Sequence, residues 1–198
     1  VRYDLTPELG PMRREVTART LNAALGAEVK FGGDWSMTAY TGPTRQRETQ
    51  SRALPPDPMI LADVLADARP DVALNPFGQG SNTNSATITR LRDSQRFEGG
   101  LLTKLWLNNV VLNGPVLGLP GGDLKVAFGA DYRSLRTRAR FNSIYRERGT
   151  KSPLNKDFDR DVIAGFAELF IPIFDTPNAV RGVRQLTLSL AGRYERYN

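Results

Sequence analysis

Hydrophobic and polar residues alternate with a period of two through much of this chain, most plainly over residues 119–133, LPGGDLKVAFGADYR. After a Pro-Gly-Gly-Asp turn, Leu124, Val126, Phe128, Ala130 and Tyr132 fall on one side, and Lys125, Asp131 and Arg133 on the other. Side chains of a strand point to alternate faces, so the pattern predicts an amphipathic β-strand launched by a sharp turn. The alternating block is close to the roughly 9 to 11 residues that a tilted strand needs to cross a bilayer. It ends in a tyrosine, as strands do at a membrane interface.

The same pattern recurs. Residues 97–112 carry Leu101, Thr103, Leu105 and Leu107 on one face and Glu98, Lys104 and Trp106 on the other. Residues 161–173 set Ile163, Ala167, Leu169 and Ile171 opposite Glu168, and 185–197 set Leu186, Leu188, Leu190 and Tyr194 against Thr187, Ser189, Arg193 and Glu195. Near the start, 16–31 places Leu21, Ala23, Leu25, Ala27, Val29 and Phe31 against Thr20, Asn22, Glu28 and Lys30. A Gly32-Gly33-Asp34 turn follows, and 35–41 returns with Trp35, Met37 and Ala39 on one side. The expectation is about six strands in hairpins over 16–45, 97–141 and 160–197.

Turns within these hairpins are short, whereas the links between them, 46–96 and 142–159, are long. A transmembrane barrel has short turns at one rim and long loops at the other. Phe31 and Trp35 flank one short turn while Tyr132 and Tyr194 lie toward the long links, the arrangement of two aromatic girdles. The fold expected is therefore all-β: an antiparallel meander forming part of the wall of a large transmembrane β-barrel. A short helix is expected within its long outer loop.

Composition narrows the chemistry. With 198 residues and 40% hydrophobic content the chain fits one domain, and no apolar run is long enough for a membrane helix. No signal peptide opens the sequence at Val1, so an exported protein would carry its leader upstream. Cysteine and histidine are both absent, which excludes disulfides, thiolate nucleophiles, Cys/His zinc sites, histidine-ligated haem and histidine triads within these residues. The net charge of +6 is spread over most segments and is unaccompanied by a nucleic-acid-binding motif, so no nucleic-acid partner is expected.

No catalytic site, metal site or cofactor is expected either. Glu98, Asp159 and Asp161 converge on nothing, and Gly149-Thr150-Lys151-Ser152 lacks the glycine spacing of a phosphate loop. Asp57, Asp63 and Asp67 do not fit a calcium loop.

Two groups of residues carry binding chemistry. Within the long middle link, Ile60, Leu61, Val64 and Leu65 define one side of a short helix over 59–67, and a Ser/Asn/Thr-rich stretch follows over 80–89. Loops this long are usually functional or disordered. Asn75, Asn82 and Asn84 offer amides, and Phe77 a stacking surface, to a polar small-molecule ligand. In the strand after the Gly-Gly-Asp turn, the alternation slips between Tyr132 and Leu135. Beyond it Arg136, Arg138 and Arg140 continue the face that was apolar, where they would meet glycolipid phosphates as bidentate pairs.

The order of these features resembles TonB-dependent outer-membrane receptors: a Gly-Gly-Asp turn, a long loop with Leu74-Asn75-Pro76-Phe77-Gly78, then the Leu119-Pro120-Gly121-Gly122-Asp123 turn. Asp159-Arg160-Asp161-Val162 leading to Ala167-Glu168-Leu169 comes next, and Leu190-Ala191-Gly192-Arg193-Tyr194 last. The likeness spans nearly the whole chain. It implies a location in the outer membrane of a Gram-negative bacterium and contact with outer-membrane lipid. It also implies import of a scarce ligand such as siderophore-bound iron, a vitamin or a glycan, driven by the periplasmic TonB system through a plug domain. These residues hold neither that plug nor a TonB-box segment nor the terminal aromatic strand, and such barrels have about 22 strands. They therefore read as part of the wall. The other class of protein that the pattern admits is a soluble β-rich module, a sandwich or jelly roll that holds a glycan with its Asn-rich loop.

Overall fold

A computed structural model describes residues 4–77 and 82–198. The architecture is an all-β antiparallel meander with three short helices. Strands β1 (Arg14–Asn22) and β2 (Leu25–Phe31) both pair with β3 (Trp35–Ala53). The order then continues through β4 (Gln95–Leu119), β5 (Gly122–Tyr145), β6 (Thr150–Phe174) and β7 (Leu186–Tyr197). The sheet is open: among the described residues β7 pairs with β6 alone.

The expected strand over 16–31 is present but interrupted at Ala23-Ala24. Pro43 stands opposite the break. Its carbonyl accepts from the Ala23 N–H at 3.1 Å, but proline has no N–H to return, so the ladder loses a rung there. On the far side of the break β2 and β3 pair from Leu25↔Thr41 to Phe31↔Trp35. The turn between them requires positive φ, which Gly33 (74°) and Asp34 (60°) adopt.

Two expectations are corrected. β3 runs on to Ala53, so the first long link spans 54–94 rather than 46–96. The second long link is not a loop: β5 and β6 continue to a turn at 146–149, closed by the Gly149 N–H on the Arg146 carbonyl at 3.2 Å. Residues 142–159 are polar, yet a polar strand is stable where its cross-strand partners pair, and here Arg136 and Arg140 on β5 face Asp159 and Asp157 on β6. The expected contrast between short and long links therefore survives only at 54–94.

Internal contacts divide the chain into two units. The first comprises Val1–Arg19, Arg47–Leu102 and Arg138–Asp157; the second comprises Thr20–Gln46, Thr103–Thr137 and Phe158–Asn198. The first contains α1 (Thr6–Leu9), α2 (Pro58–Ala66) and α3 (Ser85–Arg92). Ile60 and Val64 of α2 pack with Leu74 and with Ile88 and Leu91 of α3, and Leu5, Leu9 and Leu61 lie against them. The helix expected at 59–67 is α2. The Asn84 side chain caps α3 by accepting from the Ala86 N–H at 2.8 Å, within a stretch read from its composition as loop. The second unit consists of strands and a single 3₁₀ turn, Thr176–Asn178.

Candidate functional site

The sheet of the second unit has two faces of opposite character. In β6 and β7 the register pairs Leu169↔Leu190 and Ile171↔Leu188 on one face, with Ile163 and Tyr194 at the same parity. The other face carries Ala164↔Glu195, Phe166↔Arg193 and Phe170↔Ser189. Cross-strand bonds extend both faces into β5. Arg193 and Arg133 bond Asp131 and Glu195, so odd-numbered β5 residues join the polar face. Tyr132 and Arg136 both reach Asp161, so even-numbered ones join the apolar face.

Asn109 donates to Asp131 at 2.5 Å on the polar face, and its neighbour Asn108 accepts from Thr41 at 2.8 Å on the other. Since Thr41 shares its parity with Met37 and Trp35 and stands opposite Leu25, the apolar face continues through β2 and β3. Phe128 is 48% exposed, Leu188 44% and Leu190 53%, with no layer over them within this unit. β4 departs from simple patterning. Trp106, grouped by the sequence with Lys104 and Glu98, donates to Asn108 at 3.1 Å on the apolar side. Thr103 meets Thr137 at 3.4 Å on the polar side, and Leu105 and Leu107 share the parity of Thr103.

On the polar face lies a charged network. The Arg193 guanidinium holds Asp131 at 2.9 Å and Glu195 at 2.7 Å, and Arg133 reaches Glu195 at 3.1 Å. The Tyr197 hydroxyl donates to Glu195, and Arg193 stands 6.0 Å from the centre of the Phe166 ring. Beneath it Ala164, opposite Glu195 in register, is buried. The sequence marks these charges only as a polar face. Their convergence depends on a register between strands more than sixty residues apart, for which one sequence carries no signal.

The three arginines singled out by the sequence share the parity of Phe128 and Tyr132, with no slip of alternation between them. Arg136 pairs with Asp161 at 2.7 Å and with Asp159 at 3.7 Å. Arg140 binds Asp157 through both ends of its guanidinium, and Arg138 is exposed. A phosphate arriving at Arg136 or Arg140 would therefore compete with a carboxylate already in place.

In the first unit, Asn75, Phe77 and Asn82 are brought together and bond to one another. The Asn75 side chain accepts from the Phe77 N–H at 3.0 Å, and the Asn82 amide donates to the Phe77 carbonyl at 2.8 Å. Asn84 is the cap of α3, so each of these amides already serves the backbone, while the Phe77 ring is 78% exposed. The buried polar centre of the unit is Asp57, the N-cap of α2. Asp57, 1% exposed, accepts from the Met59 N–H at 3.0 Å and from Arg148 at 2.6 and 2.9 Å. Its own N–H donates to Ser94 Oγ at 2.8 Å. Burial opposes ionisation of Asp57, but the Met59 amide and the Arg148 guanidinium outweigh it and hold the carboxyl below its ordinary range. Arg148 also stacks 4.1 Å above the Tyr145 ring.

Among the described residues no three acidic side chains cluster to hold a metal ion. No protein-family model matches the chain, and no curated protein matches it.

Proposed function

We propose that this chain forms part of the wall of a transmembrane β-barrel in a Gram-negative outer membrane, within a TonB-dependent receptor that imports a scarce small molecule. The observation that carries the reading is the division of the second unit into an uncovered apolar face and a face of paired charges, kept in phase along β2, β3, β5, β6 and β7. A sheet in hydrocarbon must satisfy its backbone between strands and present apolar side chains outward, while its inner face meets water or protein. On β7 the apolar side chains run from Leu186 to Tyr194, nine residues, which at about 3.4 Å per residue and a tilt near 45° gives a band of about 20 Å. Transmembrane barrels carry an apolar band about 25 Å tall.

The resemblance in motif order supplies the receptor class, and with it the ligand classes: siderophore-bound iron, vitamins and glycans. The transport partner in this reading is the periplasmic TonB system, acting through a plug domain. The test is fractionation of the full-length protein in a Gram-negative host. It is expected in the outer membrane, resistant to urea and released by detergent. Recovery as a soluble monomer would overturn the reading in favour of a β-rich binding module. For the transport step, uptake of the labelled ligand should stop when a protonophore collapses the proton gradient.

A further inference from the structure

Within the first unit a cleft of about 700 Å³ lies between the segment 4–13, the residues that follow β3, the start of β4 and the turn joining β5 to β6. That volume falls inside the range of about 300 to 1,000 Å³ typical of small-molecule sites, which are mostly apolar with a few placed polar groups. The walls fit this description: Leu5, Leu9, Met12, Pro55 and Ile144 supply apolar surface. Four guanidinium groups, of Arg13, Arg92, Arg96 and Arg146, line the cleft against only two carboxylates, Asp4 and Asp93.

The pairing of these charges leaves cations in excess. Arg146 stands 3.7 Å from Asp93, and Arg96 holds Glu98 at 2.9 Å. Arg92 donates to the backbone carbonyls of Leu9 and Glu8, at 2.9 and 3.1 Å, and meets no carboxylate among the described residues. The Arg13 side chain makes no hydrogen bond or ion pair among the described residues, while its backbone carbonyl is fixed by the Ala53 N–H at 3.1 Å. The two arginines without carboxylate partners among the described residues thus border the same apolar cleft, one of them on a backbone tied to the end of β3. A guanidinium presents a planar fork of donors that matches a carboxylate.

We propose that this cleft binds a small organic anion with an apolar body, its carboxylate held by Arg13 in the cleft that Arg92 also lines and its body against Leu5, Leu9, Met12 and Ile144. The site needs neither a membrane nor an energy source, so it goes beyond the receptor reading and stands or falls separately from it.

The test is equilibrium dialysis of the full chain in amphipol against two probes of the same shape, 2-naphthoate and the neutral 2-naphthylmethanol, with empty amphipol subtracted. Naphthoate should bind about tenfold or more tighter than the alcohol. Arg13→Gln should remove most of that preference and leave the alcohol unchanged, and Arg13→Lys should restore part of it. Since the Arg13 side chain makes no hydrogen bond or ion pair among the described residues, the variant should unfold at the same denaturant concentration as the parent. Equal binding of the two probes, binding of neither, or a full preference in Arg13→Gln would each overturn the proposal. Naphthoate binding by a protein recovered in the soluble fraction would sustain the site while ending the membrane reading.

Discussion

The ring of Phe166 on β6 occupies the space that a side chain on Gly129 of β5 would need, since a Cβ built there would stand inside the ring's van der Waals surface. The glycine is explained by that approach: its missing side chain leaves room for an aromatic ring from the neighbouring strand, with Arg193 on the same face. Trp35 and Gly114 repeat the arrangement on the pair β3 and β4.

Gly129→Val should therefore drive Phe166 out of its place and cost about 1 to 3 kcal/mol, the usual penalty for overpacking. Phe166→Ala costs stability alone but should recover part of the loss when added to Gly129→Val. A double-mutant cycle on urea unfolding in micelles measures the coupling. Strict additivity of the two changes would show that ring and glycine do not meet.

Arg193 joins two carboxylates that are themselves largely covered, Asp131 at 18% and Glu195 at 23% side-chain exposure. Arg193→Met leaves both with weaker compensation, and a loss of stability larger than that of an isolated surface pair is expected. The pair Lys30 and Glu28, 3.6 Å apart and more than half exposed on both sides, is the control. Lys30→Met should change stability by no more than about 0.5 kcal/mol. Equal effects of the two substitutions would contradict the network.

Much of the second unit was legible in the sequence because hairpin chemistry is local. Gly33 and Asp34 mark a turn by their tolerance of positive φ, and the residues flanking it, Phe31 and Trp35, pair as the alternation requires. The strand ends were less legible. The polar run 142–159 looks like a loop by composition, and the pairing of β5 with β6 that extends it as sheet, with Arg140 opposite Asp157, is not visible in one sequence. Helix α3 was hidden by its Ser and Thr content, although its buried residues Thr87, Ile88 and Leu91 keep helical spacing. Asp57, ahead of Pro58, stands where a helix N-cap belongs, but its burial and pairing were illegible because its partner Arg148 lies ninety-one residues away.

The helical part of the first unit should weaken in acid. The Asp57 carboxyl titrates lower in the folded protein than its ordinary value near 3.8, so its stabilisation is complete above that value and is lost as pH falls through the folded pKa. Asp67, held down to about 2 by hydrogen bonds from the Arg69 side chain and backbone, adds in the same sense between about pH 4 and 2. Thermal unfolding followed from pH 6 to pH 2.5 should show the decline. Asp57→Asn should lower stability at pH 6, by about 1 to 3 kcal/mol, and flatten the pH dependence. An unchanged profile would remove Asp57 from the account.

The arginine row gives a prediction with two signs. Arg138→Gln combined with Arg140→Gln should weaken association with phosphate-bearing glycolipid in reconstituted membranes. Asp157→Asn releases Arg140 from its carboxylate and should strengthen it. Native mass spectrometry of bound lipid reports both, and no change in either direction would leave Arg140 as the partner of Asp157 alone.

The central proposal, that the apolar face meets hydrocarbon, is tested most directly by spin labels, which the absence of native cysteine allows to be placed one at a time. In the bilayer-reconstituted protein, labels at Phe128 and Leu188 should collide freely with oxygen and poorly with a polar nickel chelate. The label at Ser189, one residue along and on the opposite face, should show the reverse. Labels at Leu188 and Ser189 with the same accessibility, or a Phe128 label shielded from both reagents, would contradict the account.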